Sequence, residues 1–271
     1  MTYIQLIFPA ISPDQSDMLI AALSEAGFEG FEEEASSLKA FVAAAAYDEA
    51  AVQAIAGRLA VRFTQTTIGE TNWNQVWESN FSPVVVEDFV AIRAGFHAPF
   101  GTGVGHEIVI TPKMSFGTGH HATTWMMIRQ MKEIDFDGKS VFDFGTGTGI
   151  LAILAARLGA RRVVAIDHDE WSIENSRENI LQNQAAGVEI RQADTARLNE
   201  QFEVILANIN KNVILDNLAV LAGQLAPGGI LLLSGLLATD EPDMLEATKK
   251  QGLELILTTV RNNWLCMKLT C

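Results

Sequence analysis

The chain has 271 residues, of which 48% are hydrophobic and 19% are charged, and this length suits one large domain or two modest ones. Its net charge of −14 disfavours nonspecific binding to nucleic acid, which requires a basic surface, and is compatible with a basic protein partner. The sequence has no apolar run as long as a membrane span, no basic segment at Met1–Ile4 and only two cysteines, Cys266 and Cys271, so we expect a cytoplasmic protein with neither a disulfide framework nor a metal site.

Residues 1–65 are predicted to form a small ferredoxin-like α+β domain, in the order strand, helix, strand, strand, helix, strand. The first helix has clear boundaries, because Ser12 and Gln15 form a capping box, Pro13 takes the first helical position, and Gly27 ends the apolar pattern. Residues 1–60 contain nine acidic and two basic side chains, a net charge of −7. Since this segment has no catalytic motif, we expect an acidic domain that does not perform the chemistry.

A short polar connection at residues 66–72 is predicted to link this domain to a second one, residues 73–271. Trp73 and Trp77 follow the connection and are four residues apart, so they would share one face of a helix. They would either anchor the connection on the second domain or form a platform for the substrate.

The second domain alternates regularly between strand and helix patterns. Strands are predicted at 140–144, 162–166, 188–192, 202–207 and 230–234, and helices at 122–133, 149–158, 170–183, 213–225 and 240–251. This alternation indicates a parallel sheet, to which adjacent strand patterns at 253–260 and 264–270 add a hairpin with one antiparallel strand. The predicted fold class is α/β, a Rossmann-like seven-stranded sheet typical of class I S-adenosylmethionine-dependent methyltransferases, with ligands at the carboxyl ends of the strands.

Three glycine-rich segments compete for the role of ligand-binding turn. Gly101–Gly105 precedes a strand and is interpreted as a loop, and residues 117–122 match a dinucleotide pattern without leaving a strand of a βαβ unit. Only Gly145–Gly149, with glycine at every second position, lies between a strand and a helix. Its third glycine comes one residue before Ile150, the position at which NAD-binding sequences require glycine or alanine. We therefore expect S-adenosylmethionine, and Asp143 would organise the turn or contact the cofactor's amino group through water.

At Gly145 and Gly147 the backbone would approach the methionine part of the cofactor. Polar side chains follow the neighbouring strands beside this turn. Asp167 would accept hydrogen bonds from the ribose hydroxyls, or would only cap the next helix. Asp194 would accept a hydrogen bond from the adenine amino group, or would have a structural role. Asn208 places an uncharged amide at the predicted cleft, or satisfies a turn there.

Four motifs of the chain carry a resemblance to a known family. They are Trp73-Asn74-x-x-Trp77 with Phe81-x-Pro83, Ser115-Phe116-Gly117-Thr118-Gly119-His120-His121-x-Thr123-Thr124, Asp143-x-Gly145-x-Gly147-x-Gly149-Ile150-Leu151-Ala152-Ile153, and Ala207-Asn208-Ile209. Over nearly its whole length the chain resembles the bacterial ribosomal protein L11 methyltransferases, the PrmA family. The resemblance implies that Thr124, Gly145, Asp167 and Asn208 contact S-adenosylmethionine or frame its site, that Phe116–Gly119 lies over it, and that the N-terminal domain recognises a protein substrate.

Three features depart from related patterns. Ala122 follows His121 where the PrmA family usually has proline, and Thr146 stands where a cysteine is common. Neither change removes a group that the chemistry needs. The segment after Asn208 also lacks the Pro-Pro-aromatic sequence of the glutamine and adenine N-methyltransferases, which disfavours stacking of a planar amide or base there.

The resemblance implies a protein N-methyltransferase that transfers methyl groups from S-adenosylmethionine to lysine or N-terminal amines of ribosomal protein L11. In-line transfer from a sulfonium requires positioning more than acid–base groups, and the oxygen of Asn208 or a backbone carbonyl of residues 207–210 would accept the hydrogens that remain on the amine. An RNA or small-molecule methyltransferase on the same fold remains an alternative, with Arg157, Arg161 and Arg162 as a local basic patch; a non-enzymatic S-adenosylmethionine-binding adaptor is a third possibility. We expect a monomer without direct contact with nucleic acid or membrane.

Overall fold

The computed structural model describes residues 2–34, 36–68, 82–112, 119 and 121–271. The chain separates into two compact units, Met1–Ser79 and Asn80–Cys271. The residues Trp73, Trp77 and Phe81 and most of the segment 115–120 lie outside the described residues, so the roles expected of them stay predictions. Within the described ranges, no helix combines the length and the apolar character that crossing a membrane requires.

The first unit has the predicted ferredoxin-like topology. Its elements are β1 (Tyr3–Pro9), α1 (Pro13–Glu25), β2 (Gly30–Glu34), β3 (Ser37–Ala43), α2 (Glu49–Arg58) and β4 (Thr64–Ile68). The strands form one antiparallel sheet in the order β2-β3-β1-β4. Residues 66–68, expected in the polar connection, belong to β4 and pair with β1. The β-branched threonines of this segment explain the difference, because they favour an exposed edge strand over a loop.

The capping box of α1 forms as its sequence predicts. The Ser12 hydroxyl oxygen accepts the backbone N–H of Gln15 at 3.2 Å, and the Gln15 side chain accepts the backbone N–H of Ser12 at 3.0 Å. The helix then packs Leu19 and Leu23 against the sheet in a buried core. Two orphan N–H groups are thereby satisfied at the helix start, which stabilises the helix by about 1 kcal/mol.

The second unit begins with a small three-stranded sheet. Its strands are β5 (Val84–Val86), β6 (Val90–Ala94) and β7 (His106–Ile110), in the order β5-β6-β7, with β6 and β7 parallel. Between β6 and β7, Gly101–Gly103 forms a short 3-10 turn. The first glycine-rich segment is therefore a connection, in agreement with its interpretation as a loop.

The large sheet of the second unit has the predicted seven strands. They are β8 (Ser140–Phe144), β9 (Arg162–Asp167), β10 (Val188–Gln192), β11 (Phe202–Asn208), β12 (Leu225–Leu237), β13 (Glu254–Arg261) and β14 (Trp264–Thr270). Their order is β10-β9-β8-β11-β12-β14-β13, and β14 alone runs in the direction opposite to the other six strands. β12 is longer than predicted, because its ends pair Leu225 with Phe202 of β11 and Leu237 with Trp264 of β14.

Helices connect the parallel strands, within two residues of their predicted ends. They are α3 (Ala122–Met131), α4 (Ile150–Arg157), α5 (Glu170–Gln182), α6 (Lys211–Gln224) and α7 (Glu241–Lys250). The chain proceeds from β8 to β9 on one side and later returns to β11 on the other side of β8. The carboxyl ends of β8 and β11 therefore form the topological switch point, where open α/β sheets bind their ligands.

Candidate functional site

The turn from β8 to α4 consists of alternating glycines. Gly145, Gly147 and Gly149 have φ angles of +77°, +54° and +83°, a left-handed backbone that glycine adopts at no steric cost. A Cβ on Gly145 would also lie 2.9 Å from Cδ1 of Ile209. Because this atom is the flexible end of a side chain and can shift, the positive φ is the stronger reason for glycine at 145. Gly149 begins α4 without a side-chain cap, so the first N–H groups of the helix point toward the switch point.

Asp167 joins this turn to the end of β9. Its Oδ2 accepts the backbone N–H of Gly147 at 2.9 Å, and its Oδ1 accepts that of Asp169 at 3.1 Å. The cap of α5 is Asp169, which accepts the N–H of Ser172 at 2.8 Å, so helix capping does not explain Asp167. An ionised carboxylate offers about four acceptor positions, and Asp167 therefore retains capacity for ribose hydroxyl donors.

A second carboxyl group, Asp143, lies inside β8 and organises the same turn. Its Oδ2 accepts the hydroxyl proton of Thr146 at 2.6 Å, and its Oδ1 has no hydrogen-bond partner among the described residues. Burial raises the pKa of Asp143 to about 7, an effect that the Thr146 hydroxyl opposes and the charge of Asp167 reinforces. The turn therefore contains one carboxyl group that is partly protonated at neutral pH.

Thr124 and Asn208, which the resemblance placed at the cofactor site, are in direct contact. Asn208 ends β11 and donates from Nδ2 to Oγ1 of Thr124, in the first turn of α3, at 3.2 Å. Both side chains are buried, and Oδ1 of Asn208 has no partner within the described part of the chain. A buried acceptor without a donor costs about 1–3 kcal/mol, so this oxygen is suited to a ligand that brings a hydrogen.

The first turn of α3 begins without the usual proline. His121 is the N-cap of the helix, and its Nδ1 lies 2.8 Å from the hydroxyl of Thr123. Burial lowers the pKa of His121, which favours the neutral ring that a capping acceptor needs. The cap therefore forms with Ala122 at the first helical position, and Thr124 keeps its place beside Asn208.

Asp194 lies at the same edge of the sheet but is exposed, unlike the other predicted residues. It follows β10, whose last residue Gln192 pairs with Asp167, and the N–H of Ala193 donates to the backbone oxygen of Asp167 at 2.9 Å. Asp194 therefore directly follows Ala193, the residue that contacts Asp167. Its bond to adenine stays a prediction.

Two further residues that sequence reasoning missed support the site. Gly235 in β12 has φ +84°, and a Cβ there would lie 2.2 Å from the backbone oxygen of Ile209. The fully buried Asn179 of α5 donates to the backbone oxygen of Thr148 at 2.8 Å. The glycine within a strand pattern was a signal for the first. The second had only the weaker signal of asparagines spaced four residues apart.

Comparisons with known proteins agree with this geometry. A family model described as "Ribosomal protein L11 methyltransferase (PrmA)" matches residues 13–271. Proteins named ribosomal protein L11 methyltransferase are 38% identical in Porphyromonas gingivalis, covering 94% of this chain and 90% of that protein, and 36% identical in Phocaeicola vulgatus, covering 99% of both. The crystal structure of a ribosomal protein L11 methylase from Lactobacillus delbrueckii subsp. bulgaricus matches with a TM-score of 0.65 and 25% identity, covering 70% of this chain and 98% of that one.

The range that the family model matches contains the glycine turn and both Thr124 and Asn208. A buried carboxylate on a glycine turn, together with a buried amide oxygen left open to a donor, fits a nucleoside ligand with an amino acid part. The chain belongs to the ribosomal protein L11 methyltransferase family, whose methyl donor is S-adenosylmethionine.

Proposed function

We propose that this protein acts as a monomer in the cytoplasm and methylates lysine or N-terminal amines of ribosomal protein L11. The names of relatives that match nearly the whole chain support this substrate. The observation that carries the proposal is the buried Asn208 amide, whose oxygen has no partner within the described residues beside the glycine turn. The free thiols of Cys266 and Cys271 are compatible with a reducing compartment.

The cofactor would be held by groups from three neighbouring strands. The turn Gly145–Gly149 and the first N–H groups of α4 would bind its amino acid part, Asp167 its ribose hydroxyls and Asp194 its adenine. Thr124 would frame the site through its bond to Asn208. When bound, the cofactor supplies a methyl group on a positively charged sulfonium.

The main obstacle to methylating an amine is its charge. A lysine with an ordinary pKa of ~10.4 is protonated at neutral pH, and making it neutral costs about 4–5 kcal/mol. A dry site next to a positive charge lowers that pKa, so the amine can lose its proton to solvent as it enters. The open Oδ1 of Asn208 would then accept a remaining N–H and direct the nitrogen lone pair at the methyl group.

The charges of the first unit suit a basic protein partner. Seven of the nine acidic side chains in residues 1–60 are exposed: Asp14, Glu25, Glu29, Glu33, Glu34, Asp48 and Glu49. The basic residues of segment 1–60 are Lys39, which is already paired with Glu32 and Glu34, and Arg58. We propose that this unit docks the lysine-rich substrate and determines which amines reach Asn208. Such attraction raises the association rate and weakens with salt, since charges are screened beyond ~8–10 Å at physiological ionic strength.

The alternative of an RNA substrate is disfavoured by the partners of the basic patch. Arg161 pairs with Glu203 at 2.9 Å, and Arg162 pairs with Glu200 at 2.5 Å. Arg157 donates to the backbone oxygen of Glu107 and to Asn183. These partners leave little positive charge to neutralise phosphates.

The proposal can be tested with labelled S-adenosylmethionine and three acceptors: purified L11, ribosomal RNA and small amines. We expect label in L11 only, and loss of that label on the order of 10²-fold in Asn208→Ala, because the amine is no longer aimed. Thr124→Val is the matched control, since it keeps the shape and the Asn208 oxygen, and its loss should be smaller. Label in RNA, or wild-type rates in Asn208→Ala, would contradict the proposal.

A further inference from the structure

An asparagine ladder on α5 is not explained by the residues that would bind the cofactor. Asn175, Asn179 and Asn183 are four residues apart, and all three are buried. Residues at this spacing share one helix face. Asparagine is uncommon inside a helix because its amide competes for backbone hydrogen bonds, so Asn175 and Asn179, followed by Asn183 as the C-cap, indicate partners outside the helix.

Two of these amides pair with the edge strand β7 and its continuation. Asn183 accepts the N–H of Val109 at 2.9 Å and donates to the backbone oxygen of the same residue at 2.5 Å. Asn179 accepts the N–H of Thr111 at 2.7 Å. The amides thus replace a neighbouring strand and satisfy the open edge of β7.

Asn179 differs from Asn183 in having a partner on the glycine turn. Its Nδ2 donates to the backbone oxygen of Thr148 at 2.8 Å, while its Oδ1 holds Thr111. The preceding residue of the turn, Gly147, donates its N–H to Asp167. A single amide therefore fixes the turn from one side, and the proposed ribose carboxylate fixes it from the other.

We propose that Asn179 is a positioning residue that presets the Gly145–Gly149 turn for S-adenosylmethionine and ties it to the end of β7. It acts through Thr148 and Gly147 and does not touch the methyl acceptor. The inference rests on the cofactor site of the proposed function and is independent of which molecule receives the methyl group. Its physical basis is preorganisation, since a turn that must be ordered during binding lowers the affinity for the ligand.

The test compares the same substitution at two positions, Asn179 within α5 and Asn183 at its C-cap. Asn179→Asp keeps the acceptor for Thr111 and removes the donor to Thr148. Asn183→Asp likewise keeps the acceptor for Val109 and Arg157 and removes the donor to the backbone oxygens of Val109 and Asn179, while Asn183 itself makes no hydrogen bond to the glycine turn. The affinity for S-adenosylhomocysteine is measured by calorimetry without any acceptor, and the melting temperature is recorded for each full-length protein.

We expect Asn179→Asp to bind S-adenosylhomocysteine at least tenfold more weakly, and Asn183→Asp to bind within twofold of the parent even where its melting temperature falls. The KM for the protein acceptor at saturating cofactor should not change in either variant. Equal affinities for the two variants, or losses that follow the melting temperature alone, would overturn the inference. If Asn179→Asp does not fold, Asn179→Ala is used in its place. If neither variant folds, Asn179 is needed for folding, and this result would also overturn the inference. A protein that fails to methylate L11 but shows the expected affinities would contradict only the proposed substrate.

Discussion

Asp143 should make the second unit less stable as the pH rises, and Asp143→Asn should remove this dependence. The carboxyl group is 1% exposed, and burial raises its pKa from the ordinary 3.8 to about 7. The folded chain thus binds the proton more tightly than the unfolded chain. The stability that the protonated form provides is fully present below the unfolded pKa and is lost as the pH rises through the folded pKa.

The size of the effect follows from the two pKa values. Between pH 5 and pH 7 the carboxyl group is ionised in the unfolded chain and protonated in the folded one. Each pH unit in this interval lowers the free energy of unfolding by about 1.36 kcal/mol, a total of about 2–3 kcal/mol by pH 8. Asparagine cannot ionise, and its oxygen can still accept the hydroxyl of Thr146. Asp143→Asn should therefore gain about 2–3 kcal/mol relative to the parent between pH 5 and pH 8.

Urea unfolding at pH 5 and pH 8, followed by tryptophan fluorescence, measures this difference. The described tryptophans, Trp125, Trp171 and Trp264, all lie in the second unit. Ser234→Ala is the control, because it removes a buried hydrogen bond to Leu265 at 2.7 Å without removing a titrating group. Its effect should be the same at both pH values. If the difference in free energy of unfolding between the parent and Asp143→Asn does not change with pH, the reasoning is refuted.

The other predictions concern the cofactor, the backbone and the substrate. Asp167→Ala should leave a folded protein whose affinity for S-adenosylhomocysteine is at least tenfold lower, since a charged acceptor bond is worth about 1.5–3 kcal/mol; unchanged affinity by calorimetry would contradict the assignment. Gly235→Ala should destabilise the protein by more than about 3 kcal/mol, because its Cβ would lie 2.2 Å from the Ile209 oxygen, and a parent-like melting temperature would exclude this close approach. The double variant Glu25→Gln with Glu29→Gln should raise the KM for L11 and reduce the salt dependence of that KM, because fewer negative charges attract the substrate. The control, Glu174→Gln with Asp216→Asn, removes two exposed charges from the second unit and should have neither effect. Equal effects of the two double variants would mean that the substrate docks elsewhere.

The sequence predicted the sheet well because buried parallel strands appear as continuous apolar runs. β8 and β9 begin where they were expected, and the adjacent patterns at the C-terminus correctly indicated the antiparallel β14. It could not decide whether Asp167 binds a ligand or caps the next helix. Only the contact of Asp169 with Ser172 resolves the cap.

Contacts between residues far apart in the sequence could not be predicted from local patterns. Asn179 pairs with Thr148 and Thr111, which lie 31 and 68 residues away along the chain. Likewise, the need for glycine at 235 arises from the backbone oxygen of Ile209, which Gly235 meets only after β11 and β12 align. The start of the polar connection could not be predicted for a simpler reason. Thr66 and Thr67 suit an edge strand as well as a polar loop, and the structure places them in β4.

Several of the costs that a stable fold normally avoids are found at the switch point. Buried polar atoms without a partner in the described part of the chain include Oδ1 of Asp143, Nδ2 of Asn175 and Oδ1 of Asn208, all on elements whose residues contact or adjoin the glycine turn. Each such atom costs about 1–3 kcal/mol, and the left-handed turn between β8 and α4 requires glycine at every second position. A site built in this way is destabilising until a ligand supplies donors and acceptors. Binding of S-adenosylmethionine should therefore recover stability as well as prepare the methyl transfer, and the rise in melting temperature on binding should be smallest in variants that already lack Asp167 or Asn208.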